Sequence, residues 1–497
     1  MSQNPIRLSA STMDGLSVPR PTYDRAEVTS GIVHVGVGGF HRAHQAMYLD
    51  ALLEDGGDRA WGLTGIGLLP GDARMRDVLE AQDGLYTLVV EQPDGTREPR
   101  VIGSILRYVY APDDVDAAIE AIAAPETRIV SLTVTEGGYN VDREGAFVLE
   151  DDAVQTDLAD PAHPRTVFGL VAAGLRRRRE RGLGSPTVMS CDNVQSNGDV
   201  ARTAFVGFAE ALDAETGEDL ADWMREHTRF PSSMVDRITP VTPEGLSAEV
   251  AEEFGVEDGW PVVTEPYLEW ALEDDFADGR PALDRVGVRI VDDVTPYELM
   301  KLRLLNASHQ GIAYLGHLCG YRLVHDTAQD PLFEDFLLRY MTDEATPTLP
   351  DVPGVDLDQY RHTLVERFAN PRIGDTIARL AAESSDRIPT WLLPVVRENL
   401  RTGGPIERSA TIVAAWARYA EGVDESGEPI DVVDRLSATL TPLARRQREE
   451  PTAFIAHRPV FGDLVDDERF VEAYTRALTS LHEHGARTTL QRLSEED

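Results

Sequence analysis

The apolar run Ile32-Val33-His34-Val35 ends abruptly in Gly36-Val37-Gly38-Gly39-Phe40-His41-Arg42. A strand this apolar is buried on both faces, which calls for a parallel sheet covered by helices. The spacing that follows predicts a helix over 43–54. Strand, glycine turn and helix together suit a dinucleotide-binding βα unit, the alternative being an ordinary βα turn that uses glycine for its backbone geometry. Gly36 permits the tight turn, Gly38 lets the backbone approach a pyrophosphate, and the helix start supplies N–H groups and positive dipole. His41 stands where the usual fingerprint has a third glycine. Arg42 adds a positive charge at the helix start. Gly36, Gly38, Gly39, Phe40, His41 and Arg42 are therefore read as cofactor-binding.

A second strand is expected over 61–67, and the first acid beyond it is Asp72. A carboxylate there hydrogen-bonds the adenosine ribose of NAD. Arg74 and Arg76 pull towards NADP, so NAD is the expected cofactor with NADP possible. Further strands are expected over 85–90, 128–135 and 187–191, with helices over 115–123 and 167–179 between them. Strands alternating with helices give a parallel sheet covered on both faces.

Past about residue 295 strand signals nearly vanish. Helices are expected over 297–318, 331–341, 356–368, 373–383, 406–420 and 471–481. The predicted organisation is a polar N-terminal arm over 1–30, an α/β Rossmann-type domain over 31–295 whose last strands fall within 279–293, and a mostly α-helical domain over 296–497.

Charge narrows the partners. The 497 residues include 47 basic and 86 acidic ones, a net charge of −39. A binder of phosphate backbones is basic, so nucleic acid is a poor partner. The run Arg176 to Arg179 reads as a helix C-terminus complementing its dipole. Two cysteines, Cys191 and Cys319, exclude a disulfide framework and a cysteine-rich zinc site. No apolar run reaches about 18 residues, so no membrane span is expected. Met1 to Arg20 lacks a basic start followed by an apolar stretch, so no secretory signal is expected. The chain reads as cytoplasmic.

Lys301 is the single lysine; the other 46 of the 47 basic residues are arginine. Such a bias replaces lysine wherever arginine serves. A lysine that survives points to chemistry arginine cannot do, and only lysine can be tuned to lose its proton. On an α-helical wheel with Lys301 at zero, Glu298 falls at about 60°, His309 at about 80° and Asn306 at about 140°. Leu302, Leu304 and Leu305 cover much of the rest. A polar stripe on an apolar helix suits a cleft, or else a satisfied buried network. Hydride transfer between an alcohol and a carbonyl needs a base for the hydroxyl proton and donors for the developing oxyanion. A buried lysine and an asparagine amide are suitable.

These segments carry a resemblance. Gly36-Val37-Gly38-Gly39-Phe40-His41-Arg42-Ala43-His44-Gln45 resembles the start of the long-chain polyol dehydrogenases, the mannitol dehydrogenase family. Ser190-Cys191-Asp192-Asn193 through Asn197-Gly198 is similar to the family too. So are Phe230-Pro231 with Met234-Val235-Asp236-Arg237-Ile238, Val263-Thr264-Glu265-Pro266, Lys301 through His309, and Arg367-Phe368-Ala369-Asn370-Pro371-Arg372 continuing to Arg379. The resemblance covers roughly residues 30 to 480.

The resemblance implies zinc-independent, NAD(P)-dependent oxidation of a sugar alcohol, with no metal site, in a cleft between a Rossmann-type and a helical domain. It implies Lys301 as general base, Asn197 and Asn306 as the oxyanion-stabilising pair, and Glu298 as a proton relay. It implies His309, Asp236 and Arg379 as substrate-binding residues. With Met47-Tyr48-Leu49-Asp50, the glycine segment looks closest to the mannitol branch, which interconverts D-mannitol and D-fructose. Another polyol such as arabinitol or sorbitol, and fructuronate or tagaturonate, are the alternatives; the sugar acids need a cation for their carboxylate. A non-catalytic dinucleotide sensor fits worst, because the lysine and both asparagines are present. The expected partner is a small polyol or ketose, bound by a monomer or weak homo-oligomer.

Overall fold

The structure, a computed structural model, describes residues 4–142 and 144–495. The first three residues of the expected arm and the last two of the chain lie outside the described residues. The chain divides into two compact units, Met1–Val294 and Thr295–Asp497.

The first unit is built on a parallel sheet of β1 (Ile32–Val35), β2 (Leu63–Gly67), β3 (Ile105–Tyr110), β4 (Ile129–Leu132) and β5 (Thr187–Ser190), in the order β3-β2-β1-β4-β5. Ile32 is in register with Leu63 on one side and Ile129 on the other. Alternation within each strand fills two cores. Val33, Val35, Val130, Leu132 and Val188 pack with helices Val167–Glu180 and Asn197–Thr216. Ile32, Leu63, Ile129 and Met189 pack with Leu49 and Leu52 of the helix after the glycines. This two-faced burial is why β1 reads as a continuous apolar run. The strand order reverses between β1 and β4, so the switch point lies at the carboxyl end of β1, where the glycine turn emerges.

Three departures from the sequence reading have physical reasons. The helix expected over 43–54 is α2 (Gln45–Glu54), and a separate short helix, α1 (Gly39–Ala43), precedes it, because His44 takes φ −122° and ψ −94° between them. The strand expected over 85–90 exists as Tyr86–Glu91 but leaves the main sheet. It forms an antiparallel hairpin with Arg97–Ile102 and pairs parallel with Val262–Thr264. β3 takes its place, and it lacks the continuous apolar signature because it is an edge strand with Arg107 exposed. A third sheet joins Ser233–Asp236, Glu269–Glu273 and Arg289–Val291, the last within the expected 279–293. The arm is not a loose tail: Ile6–Arg7 pairs with Val256–Glu257, and Leu8, Leu16 and Val18 share a core with Val89, Val101 and Leu246.

The second unit is mostly helical, and among its described residues no element is a strand. Helix Glu407–Ala420 is its buried axis, with Ile412, Val413 and Trp416 enclosed. The last helix, Glu468–Glu495, lies against it and turns at Gly485, whose φ is +80°. No helix of the described residues is long and apolar enough to cross a membrane.

The axis helix has a charged cap supplied from elsewhere in the chain. Glu344, fully buried, accepts hydrogen bonds from the N–H groups of Arg408 (2.6 Å) and Ser409 (2.8 Å) and from the Ser409 hydroxyl (2.5 Å). An anion at a helix N-terminus is stabilised by these donors and the dipole. Burial nevertheless wins, and the Glu344 carboxyl is pushed up to about 7. Between the ordinary glutamate range and pH 7 the folded chain therefore holds a proton the unfolded chain has released. Stability contributed by this group is present below that window and falls as pH rises through it. Denaturant unfolding at pH 5 and pH 8 is expected to show this as a loss on the order of 1–3 kcal/mol that Glu344→Gln lacks. Parallel pH dependence in the two proteins refutes it.

Candidate active site

At the end of β1, Gly36 has φ +92°, and a Cβ there would lie 2.1 Å from the Thr133 carbonyl oxygen. No other residue fits. The Thr133 hydroxyl donates to the Gly36 carbonyl at 2.6 Å and fixes the turn. Gly38 differs. Its backbone is extended, and a Cβ there would meet nothing nearer than the Gly36 oxygen at 3.9 Å. A side chain at Gly38 would thus enter open space above the turn. No side chain caps α1 at Gly38, so the turn offers a cradle and N–H groups suited to a pyrophosphate. These features fit a nicotinamide dinucleotide.

Two side chains assigned to that cofactor point elsewhere. His41 is buried and stacks on His34, with ring centroids 3.5 Å apart and planes 6° apart. Burial, reinforced by His34, Arg42 and His44, drives its pKa well below the ordinary histidine range, so the ring is a neutral core group. Arg42 is also buried. Its guanidinium donates to the carbonyls of Gly38 (3.3 Å) and Trp260 (2.5 Å) and lies over the Tyr86 and Trp260 rings. Its charge braces the turn from below. Burial lowers its pKa to about 10, which leaves it charged at neutral pH. Phe40 stacks on His44, and Gly39 opens α1.

Asp72 lies in the loop leaving β2, and its Oδ2 accepts the N–H groups of Leu68 and Leu69, each at 2.9 Å. The nearby cations are committed: Arg74 lies 4.0 Å from the Trp260 ring centre, and Arg76 pairs with Asp77 and Asp113.

In the second unit, residues 295–318 run as α3 (Thr295–Met300), a π-helical segment Lys301–Asn306, and α4 (Ala307–Leu318). The α-helical wheel is therefore corrected. Pairing from i to i+5 in the π segment brings Asn306 round towards Lys301, and such widened turns occur chiefly at functional sites. Glu298, Lys301 and Asn306 are all buried, at 5%, 8% and 6% exposure. The Asn306 amide nitrogen has no hydrogen-bond partner among the described residues. A buried amide left so is costly and suits a donor kept for a ligand. His309 is half-buried, its ring 4.5 Å from that of Phe368. Arg379 is exposed and held by Asp375 in a fork-to-fork pair.

Asn197 is corrected as an oxyanion donor. Its amide nitrogen donates to the carbonyls of Asp192 (2.9 Å) and Ser233 (2.8 Å), and its oxygen accepts the Ser233 N–H (2.9 Å). Fully buried, with both amide hydrogens spent on backbone, it ties the loop after β5 to strand Ser233–Asp236. Asn193, in the same loop, is exposed at the carboxyl end of β5; the spacing of the segment did not distinguish it from Asn197. Asp236, which ends its strand, is buried, and its neighbour Arg237 is spent on the carbonyls of Glu265 and Ala43.

One further group went unassigned in the sequence. The buried Asp192 carboxylate accepts the N–H groups of Val134 (3.0 Å) and Thr135 (2.9 Å) and the Tyr139 hydroxyl (2.7 Å). Burial raises its pKa, and these three donors oppose the rise. Thr135 has φ +68° and ψ 166°, a region essentially reserved for glycine that costs about 1–3 kcal/mol.

Two family models match the chain: the mannitol dehydrogenase Rossmann domain over residues 30–285 and the mannitol dehydrogenase C-terminal domain over residues 293–482. Mannitol 2-dehydrogenase of Phaeosphaeria nodorum is 45% identical over 492 residues, covering 98% of this chain and 85% of that protein. That of Aspergillus fumigatus is 44% identical over 486 residues, covering 96% and 95%. Among solved structures, the Pseudomonas fluorescens mannitol 2-dehydrogenase ternary complex with NAD and D-mannitol is 43% identical, with a TM-score of 0.84, covering 99% of this chain and all of that one. A substrate-free D-sorbitol dehydrogenase is 35% identical, with a TM-score of 0.91, covering 97% and 100%.

The two glycines are expected to fail differently. Gly38→Val should fold normally and lose dinucleotide affinity, because its side chain fills the cradle. Gly36→Ala should lose stability, because its Cβ meets a carbonyl. Thermal unfolding and a cofactor titration separate these; unchanged affinity in Gly38→Val removes the turn from the cofactor site. Asn197→Ala should destabilise the first unit by about 1–3 kcal/mol, the cost of stranding buried backbone groups. A stability equal to the parent refutes its tethering role.

Proposed function

The chain belongs to the mannitol dehydrogenase family, and on that premise we propose that it is an NAD-dependent oxidoreductase interconverting D-mannitol and D-fructose. The observation that carries the chemistry is the buried Asn306 amide, unpartnered among the described residues and set on a π-helical turn with the only lysine. The substrate follows from the relatives, which are named mannitol 2-dehydrogenase. The cofactor follows from the NAD in the ternary complex, from the cradle at Gly38, and from Asp72 with Arg74 and Arg76 engaged elsewhere.

In oxidation one carbon loses a hydrogen and its hydroxyl loses a proton, so that a C=O bond forms. Bound nicotinamide supplies the hydride acceptor. Lys301 Nζ takes the hydroxyl proton, and Glu298, one helical turn back, gives it an onward path. The Asn306 Nδ2 group donates to the oxygen as charge develops there. Asn197, the other member of the pair the family resemblance implies, has both amide hydrogens on backbone carbonyls and holds the loop after β5 in place. His309, Asp236 and Arg379 hold the remaining hydroxyls. Reduction runs the same steps backwards, with Lys301 giving up the proton.

The similarity to D-sorbitol dehydrogenase makes another polyol the second reading. Turnover with fructose, sorbose, xylulose, fructuronate and tagaturonate, each with NADH and NADPH, decides between them. Fructose with NADH is expected to lead, and preference for a sugar acid refutes the assignment.

Lys301→Arg keeps the charge but cannot accept a proton at usable pH, and Lys301→Ala removes both functions. Both are expected to bind NAD and to lose about 10²–10⁴ in turnover, the usual worth of positioned proton transfer. Small primary amines should partly restore the alanine variant. Asn306→Ala is expected to lose about 10²–10³. An arginine variant keeping more than about a tenth of the parent rate eliminates Lys301 as the base.

A further inference from the structure

We infer that Asp192 is a positioning residue that sets the nicotinamide end of the cofactor site by pinning the strained turn after β4, an inference that rests on the dinucleotide reading above. The sheet order places the carboxyl ends of β1, β4 and β5 side by side. In such sheets ligands lie across these ends, beside the reversal of strand order. The pyrophosphate turn leaves β1; the side of β4 and β5 is the nicotinamide half, and that of β2 and β3 the adenosine half.

Three fixings converge there. Thr133 donates its hydroxyl to the Gly36 carbonyl and lies 2.9 Å from His34 Nε2, so the β4 turn is bonded to the glycine turn at its start. In the next two residues, the consecutive N–H groups of Val134 and Thr135 both go to Asp192. Asp192 is itself held, its carbonyl by Asn197 and its carboxylate by Tyr139, whose hydroxyl is also 2.6 Å from Ser190 Oγ. The anchor is buried, while Thr135 and Glu136 are exposed. A non-glycine residue at φ +68° relaxes unless its surroundings forbid it. Here the Thr135 carbonyl accepts the Gly138 N–H, and the one side chain that binds the Val134 and Thr135 N–H groups is the Asp192 carboxylate, which is not needed for proton or hydride chemistry. Its position makes sense if the shape of the turn matters to what lies over it.

The test compares NAD with ADP-ribose, which lacks the nicotinamide, on the full chain. Asp192→Asn sets its amide donor against one of the two N–H groups, whichever way the amide is turned, and releases the turn. Its ADP-ribose Kd should stay within about twofold of the parent while NAD binds more weakly and turnover drops by about 10²-fold, the usual cost of a small misplacement. Adding Thr135→Gly should recover at least about tenfold of that turnover, because glycine takes φ +68° without an anchor. Tyr139→Phe removes one of three donors and should give a several-fold loss of the same pattern; it carries the test if Asp192→Asn does not fold. Parent-like turnover in Asp192→Asn, equal loss of ADP-ribose and NAD affinity, no recovery in the double variant, or a silent Tyr139→Phe would each overturn the inference. If the parent chain binds neither ligand, the dinucleotide reading fails first, and visibly so before any substitution.

Discussion

At Gly36 two backbones approach so closely that no side chain fits between them: a Cβ would lie 2.1 Å from the Thr133 oxygen. The geometry of the turn after β1 follows from that contact. It lets the chain leave β1 sharply enough for α1 to start at Gly39, and it sets β1 and β4 side by side at the point where strand order reverses. The Thr133 hydroxyl then binds the Gly36 carbonyl, so the turn is locked by the strand it crowds. With Gly38 open above it, the turn is a rigid floor to the cradle.

Both units place titratable groups inside and bond them to backbone. Arg42 and Arg237 bind carbonyls, while Asp192 and Glu344 bind N–H groups. Charge-assisted bonds of this kind are stronger than neutral ones, and each fixes a loop or helix end that apolar packing alone would leave free to slide. Asn306 differs, a buried donor on the same helical turn as the lysine that the described residues leave unpartnered. Fixed polar groups hold the frame, and this one is kept in reserve.

The periodicity made the fold class legible because β1 is buried on both faces and the helices of the second unit carry clear apolar stripes. It misplaced strands where apolarity does not tell one sheet from another or where an edge strand is broken by polar residues. Tyr86–Glu91 belongs to another sheet, and β3, an edge strand, was invisible as an apolar run. The cofactor turn was legible because glycine geometry is local. The fates of His41 and Arg42 were not, because whether a side chain faces a ligand or the core depends on distant partners such as His34 and Trp260. Asn197 and Asn193 look alike in a one-dimensional motif; only the carbonyls of Asp192 and Ser233 tell them apart. The π turn escaped notice because an α-helical wheel assumes the pairing it is meant to test.

The solitary lysine also gives the molecule an unusual internal reporter. A lysine-specific endopeptidase has one bond to cut, between Lys301 and Leu302, and that bond lies inside a buried π-helical turn. Cleavage there requires the turn to open. Accumulation of two fragments, 1–301 and 302–497, would therefore measure how often the segment bearing the base unwinds, in a chain that carries no other lysyl bond to confuse the reading.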